Sequence, residues 1–192
     1  MDPRSLLRPG LLDGVTVALG GGAFGPELAA LGATPATLPV TLDEESAAEH
    51  ARAARVAHGA LHLLLHDLRP QFGAGGNDGL RAALDSAWVT VRAVANAAWI
   101  GEEAGPPGKV VLIAPPPAAG DPAAAGVRGA AENMARTLSV EWSRFGIRTV
   151  AVTPGPATGD GELAALAAYL ASPAGDYFSG TRLALGELAP AG

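Results

Sequence analysis

Gly20-Gly-Gly-Ala-Phe-Gly25 is the stretch of this 192-residue sequence that could cradle a phosphate. It follows a short apolar run, Val15 to Leu19, and precedes a helix that Pro26 can open. A glycine turn of that kind lets backbone N–H groups approach an anion at a helix N-terminus. Glu27 opposes that use, because a carboxylate in the first helical turn repels a bound pyrophosphate, and Pro26 removes one donor. Aligned on Gly20, Gly21 and Gly25, the cluster reads as a vestigial loop, a tight turn between strand and helix. His66-Asp67 closes a second apolar run, Leu61 to Leu65, at a strand end where α/β proteins bind ligands. We read it as a solvated strand end in preference to a catalytic dyad. The four histidines, His50, His58, His62 and His66, lack the spacing of metal ligands. Ser139 and Ser143 have no nucleophile-elbow context, and Asp43-Glu44-Glu45 reads as helix capping. With no cysteine, thiolate and disulfide chemistry are excluded.

The elements that would position these residues alternate. Strands are expected near 15–19, 36–40, 61–65 and 108–114, within 146–155 (a turn and a strand) and near 181–185. Helices are expected near 26–31, 44–58, 80–100, 124–145 and 162–171, with a glycine-rich loop at 72–79. That order implies a single α/β domain over 1–192, Rossmann-like, with a doubly wound parallel sheet. The helix at 124–145 carries an apolar stripe of Val127, Ala131, Met134, Leu138, Trp142 and Phe145. The helix at 80–100 has one stripe of Leu84, Ala87, Val91, Val94 and Ala98. A second, adjoining face holds Trp88, Ala95 and Trp99, and predicts burial on more than one side.

The formal charge of −6 gives no reason to expect nucleic acid or an anionic membrane as partner. No apolar run reaches membrane-spanning length and no signal-peptide layout opens the chain, so a cytoplasmic location is expected. Ala, Gly and Pro are abundant and arginine replaces lysine almost throughout, a bias of GC-rich bacterial genomes.

Gly108-Lys-Val-Val-Leu-Ile-Ala114, the helix with Arg136-Thr-Leu-Ser-Val-Glu-Trp142, and Gly146-Ile-Arg-Thr-Val-Ala-Val-Thr-Pro-Gly155 together resemble the C-terminal half of the short-chain dehydrogenase/reductase family. The stretch from Leu38 through His66 is similar to that family's third strand, fourth helix and fourth strand. Leu84-Asp-Ser-Ala-Trp-Val-Thr-Val91 resembles the start of its fifth helix. Glu162 to Pro173, with Tyr177-Phe-Ser-Gly-Thr181, resembles its last helix and strand. The resemblance implies an NAD(P)-dependent oxidoreductase scaffold, reduced, with the second strand and helix and the substrate lid missing. It also implies that the family's catalytic positions fall on Ala87 for asparagine, Pro115 (with Ala114) for serine, Ala124 for tyrosine and Arg128 for lysine. A methyl group relays no proton, and arginine is too basic for the part. His66-Asp-Leu-Arg69 replaces the family's Asn-Asn-Ala-Gly.

These substitutions lead to the expectation of a non-catalytic homologue that binds no cofactor itself. Its expected role is structural, in a hetero-oligomer (a heterotetramer by analogy with the family) with an active homologue. NAD or NADP would sit in that partner, which interconverts hydroxyl and ketone groups, including those of acyl thioesters. In the family the fifth and sixth helices form the subunit interface, so Trp88, Val91, Trp99, Met134, Leu138 and Trp142 are the expected interface residues. Two alternatives stay open: a stand-alone ligand-binding or regulatory module in the emptied cleft, and an atypical enzyme using Arg128 or His66 with Asp67.

Overall fold

A computed structural model describes residues 7–118 and 120–186. Six parallel strands lie in the order β2-β1-β3-β4-β5-β6. They are β1 (Thr16–Gly20), β2 (Thr34–Leu38), β3 (Leu63–Asp67), β4 (Lys109–Ile113), β5 (Arg148–Thr153) and β6 (Thr181–Ala184). β1 and β3 are buried at every position, which explains their continuous apolar runs. On β3, Leu64 points to one layer and Leu63 and Leu65 to the other, as the twofold strand period requires. The first layer holds α2 (Glu44–His58), α4 (Gly76–Ala98) and α5 (Pro122–Glu141). The second holds α1 (Gly25–Ala29) and α6 (Asp160–Ala171). Helices on both faces make the sheet doubly wound. None of the described helices is long and apolar enough to cross a membrane.

Capping sets the helix limits. Asp43 accepts from the Ser46 N–H at 2.8 Å to open α2, and Gly59 at φ 76° closes it. Asp121 accepts from the Ala123 N–H at 2.9 Å to open α5, with Pro122 in the first turn. Asp121 also accepts from the Gly76 N–H at 3.1 Å, tying the start of α4 to the start of α5.

Several expected boundaries shift. α4 starts at Gly76, inside the expected glycine loop, because tertiary contact outweighs low propensity: Gly79 packs against the carbonyl of Phe72, leaving no room for a Cβ. A short helix, α3 (Arg69–Phe72), precedes it. α5 ends at Glu141, and a 3-10 turn over Ser143–Phe145 takes the chain to Gly146 at φ 71°. β2 falls two residues earlier than expected and pairs directly with β1, Thr16 opposite Thr34. The expected 36–40 strand is therefore the edge strand, with β1 as its one neighbour. Compared with the six-strand order 3-2-1-4-5-6 of dinucleotide-binding folds, one strand fewer lies outside β1, and β6 adds one at the opposite edge.

Candidate functional site

The chain leaves β1 for β2 in one direction and β3 for β4 in the other, so the crevice at their carboxyl ends is the switch point where α/β folds receive ligands. Its floor is the glycine cluster. Gly21 and Gly22 have φ of 74° and 67°, the left-handed region that disfavours side chains. The close neighbour that requires them is the end of β3. A Cβ on Gly21 would lie 2.8 Å from the Asp67 carbonyl oxygen, and one on Gly22 would lie 2.7 Å from Asp67 Oδ2. A Cβ on Gly20 would collide with the His66 ring. The glycines thus make room for the chain's own Asp67 and His66.

Asp67 is 1% exposed and holds Arg69 in a fork: Arg69 Nε donates to Oδ1 at 2.9 Å and Oδ2 at 3.1 Å, and Nη2 to Oδ2 at 2.8 Å. The Arg69 backbone N–H donates to Oδ1 as well, at 3.0 Å. From there the guanidinium crosses the crevice, and Nη1 meets Asp160 Oδ1 at 2.7 Å in the first turn of α6. Its Cζ lies 5.5 Å from the centroid of the Phe24 ring, a cation–π contact. The Asp67 hydrogen bonds raise the Arg69 pKa further still, against the opposing effect of burial. Gln71 Oε1, next to Gly21, is a buried acceptor without a donor among the described residues, and Glu27 Oε2 on α1 is another. Glu27 stands in the first turn of α1, a helix of only five residues. Carboxylates and acceptors line a crevice that a pyrophosphate needs lined with donors.

His66 departs from the expected solvated strand end. It is 0% exposed, with Nε2 3.4 Å from Ser86 Oγ, while Ser86 donates to the Ala83 carbonyl at 2.9 Å. Burial lowers its pKa to about 4, so it is neutral at pH 7. It does not form a dyad with Asp67, because successive strand residues point to opposite faces and Asp67 is committed to Arg69. His62 Nδ1 accepts from the Thr16 N–H at 3.0 Å, and burial lowers its pKa. Among the described residues no group of histidines and carboxylates could hold a metal ion.

The four positions expected to have lost catalytic groups are all buried. Ala87 and Ala124 are buried in the first core layer beside Ala114, and Pro115 is buried next to it. Arg128 is buried too, and Nη1 donates to the Pro115 carbonyl at 3.0 Å and the Pro154 carbonyl at 2.7 Å. It braces the loops that follow β4 and β5 and cannot trade a proton. Only Pro154 to Gly159 connects β5 to α6, too short for a lid. Lys109, the single lysine, ties down the end of α6: Nζ donates to the Leu170 and Ser172 carbonyls at 3.0 and 2.6 Å and pairs with Asp176 at 2.6 Å.

The expected interface residues divide. Trp99 is 2% exposed, donates from Nε1 to the Leu61 carbonyl at 2.6 Å and packs flat on Gly108. Val91, Leu138 and Ala95 are likewise buried within the chain. These residues, Val91, Trp99 and Leu138, are core and not seam, because α4 lies between α2, α5 and the sheet and its second apolar face is largely used inside the monomer. Trp88 remains 42% exposed. Met134 and Trp142 are half-buried. With Leu84, Ala130 and Thr137, Trp88 and Met134 border a shallow cleft of about 300 Å³ between α4 and α5.

Arg69 and Asp160 were not singled out from the sequence. The pattern Asp67-Leu-Arg69 at a strand end is a local signal for the first ion pair. Nothing local marks Asp160, which lies 91 positions away.

No protein-family model matches the sequence, and no curated protein matches it. Solved structures do. The citronellol catabolism dehydrogenase of Pseudomonas aeruginosa superposes with a TM-score of 0.75 at 22% identity, over 94% of this chain and 96% of that one. A short-chain dehydrogenase/reductase from Serratia marcescens gives 0.72 at 22%, over 93% and 99%. The enoyl-acyl carrier protein reductase of Bacillus cereus gives 0.71 at 15%, over 91% and 95%. The fold is that of the short-chain dehydrogenase/reductases. At these identities the likeness is one of architecture, and it leaves the chemistry to be argued from the residues.

Proposed function

We propose that this chain is a degenerate, non-catalytic homologue of the short-chain dehydrogenase/reductases that serves as the structural subunit of a hetero-oligomer with an active homologue. The active partner holds NAD or NADP and interconverts a hydroxyl and a ketone. This chain completes the assembly through the outer faces of α4 and α5, with Trp88, Met134 and Trp142 at the contact. The observation that supports the reading is the Asp67–Arg69–Asp160 array, which lies across the switch-point crevice where dinucleotide-binding folds receive a pyrophosphate. Buried methyl groups at Ala87 and Ala124 and the Arg128 brace agree with it.

The test has two arms. Calorimetric titration of the isolated chain with NADH and NADPH gives no heat of binding, and micromolar affinity for either would overturn the non-nucleotide reading. Co-expression with an intact homologue encoded beside this gene yields a defined mixed oligomer. The partner's activity falls when this chain is withheld, and full activity without it would defeat the subunit role.

A further inference from the structure

We propose that the switch-point crevice is a guanidinium-binding site, built for a cation where this fold ordinarily receives an anion, with Arg69 as its resident occupant. The inference deepens the proposal that the chain holds no nucleotide, and it asks what excludes the nucleotide: bulk or polarity. An arginine placed there merely as a plug would leave, once truncated, a cavity floored by glycines and open to a pyrophosphate. The residues around Arg69 describe something else. Each donor-bearing edge of the guanidinium meets a carboxylate: Nε and Nη2 face Asp67, and Nη1 faces Asp160. The guanidinium carbon lies over the Phe24 ring, 5.5 Å from its centroid, within cation–π range. Gln71 Oε1, beside Gly21 and without a donor among the described residues, adds an acceptor. With Asp67 and Asp160 set against one arginine, the crevice stays acidic even with Arg69 in place. Asp67 cannot leave, because it is 1% exposed and seated against Gly21 and Gly22.

Chemical rescue separates the two explanations. Arg69→Ala removes the atoms that ethylguanidinium replaces. At matched ionic strength ethylguanidinium raises the unfolding midpoint of this variant and leaves the natural chain unchanged. Ethylammonium, which lacks the planar fork, binds at least about tenfold more weakly. NADH and inorganic pyrophosphate do not bind the variant. The proposal is overturned if ethylguanidinium stabilises no better than sodium chloride, or if Arg69→Ala gains affinity for NADH or pyrophosphate, which would make Arg69 a plug. If the variant fails to fold alone, refolding with each additive decides: recovery with ethylguanidinium supports the site, and recovery with neither cation sinks it. Nucleotide binding by the natural chain would refute the function proposed above and leave this test intact.

Discussion

At the carboxyl edge of the sheet, Asp67, Arg69 and Arg128 direct their hydrogen bonds at the chain itself, joining β3 to α6 and the end of β4 to the end of β5. On the outer face of α4 and α5 the polarity and the packing are the reverse. Trp88 stands 42% exposed beside a shallow cleft lined mostly by apolar side chains, with Asn133 and Thr137 among them. In a nucleotide-binding fold the carboxyl edge is left open for the ligand, which then contributes to holding the strand ends together. Here internal ion pairs take over that bridging. A protein's functional surface is where its side chains remain unsatisfied by the protein itself, and that comparison moves attention from the crevice to the helix face.

Three measurements break or sharpen the contrast, in falling order of effect. Asp67→Ala leaves a half-buried guanidinium without its main partner. It should cost about 3 kcal/mol of stability in urea unfolding, as loss of one member of a buried pair does. A loss under about 1 kcal/mol would mean that the crevice is not braced from within.

His66 gives an effect of similar size that depends on pH. Its folded pKa of about 4 lies below the unfolded value of 6.5, so between these pH values the unfolded chain binds a proton that the folded chain refuses. Its contribution is fully present above pH 6.5 and is lost as pH falls toward 4, roughly 3 kcal/mol in all. Unfolding free energy measured across that window should show the slope, and His66→Leu should flatten it. An unchanged slope in the variant would place the proton uptake elsewhere.

Trp88→Asp should have the smallest effect on the chain alone, about 1–2 kcal/mol, because the side chain is only partly covered. The same substitution should abolish the mixed oligomer in sizing experiments with the partner. A large destabilisation of the monomer would return Trp88 to the core and remove the helix face from consideration.

Composition and periodicity determined the architecture. Fully apolar runs such as Leu63 to Leu65 mark strands covered on both faces, and the 3.6-residue stripe from Val127 to Leu138 marks a helix on the sheet. Both signals are local, so they survive without any knowledge of neighbours. That Ala87 and Ala124 offer no acid–base chemistry was legible in the same way, since a methyl group relays no proton wherever it lies. The start of α4 was not legible, because glycine propensity at Gly75, Gly76 and Gly79 argues for a loop and only packing against Phe72 and Asp121 overrules it. Nor was the division of the tryptophans. Trp88 and Trp99 lie eleven positions apart on one helix, three turns at nearly the same angle, and periodicity treats them alike. The difference is what stands opposite: Gly108 and the Leu61 carbonyl cover Trp99, while the cleft beside Met134 leaves Trp88 bare. The crevice is the clearest case of all. Asp67 and Arg69 are neighbours in sequence, yet the array becomes a bridge only when the fold brings Asp160 across 91 residues to the same guanidinium, a pairing that depends on the order of strands and not on any local pattern.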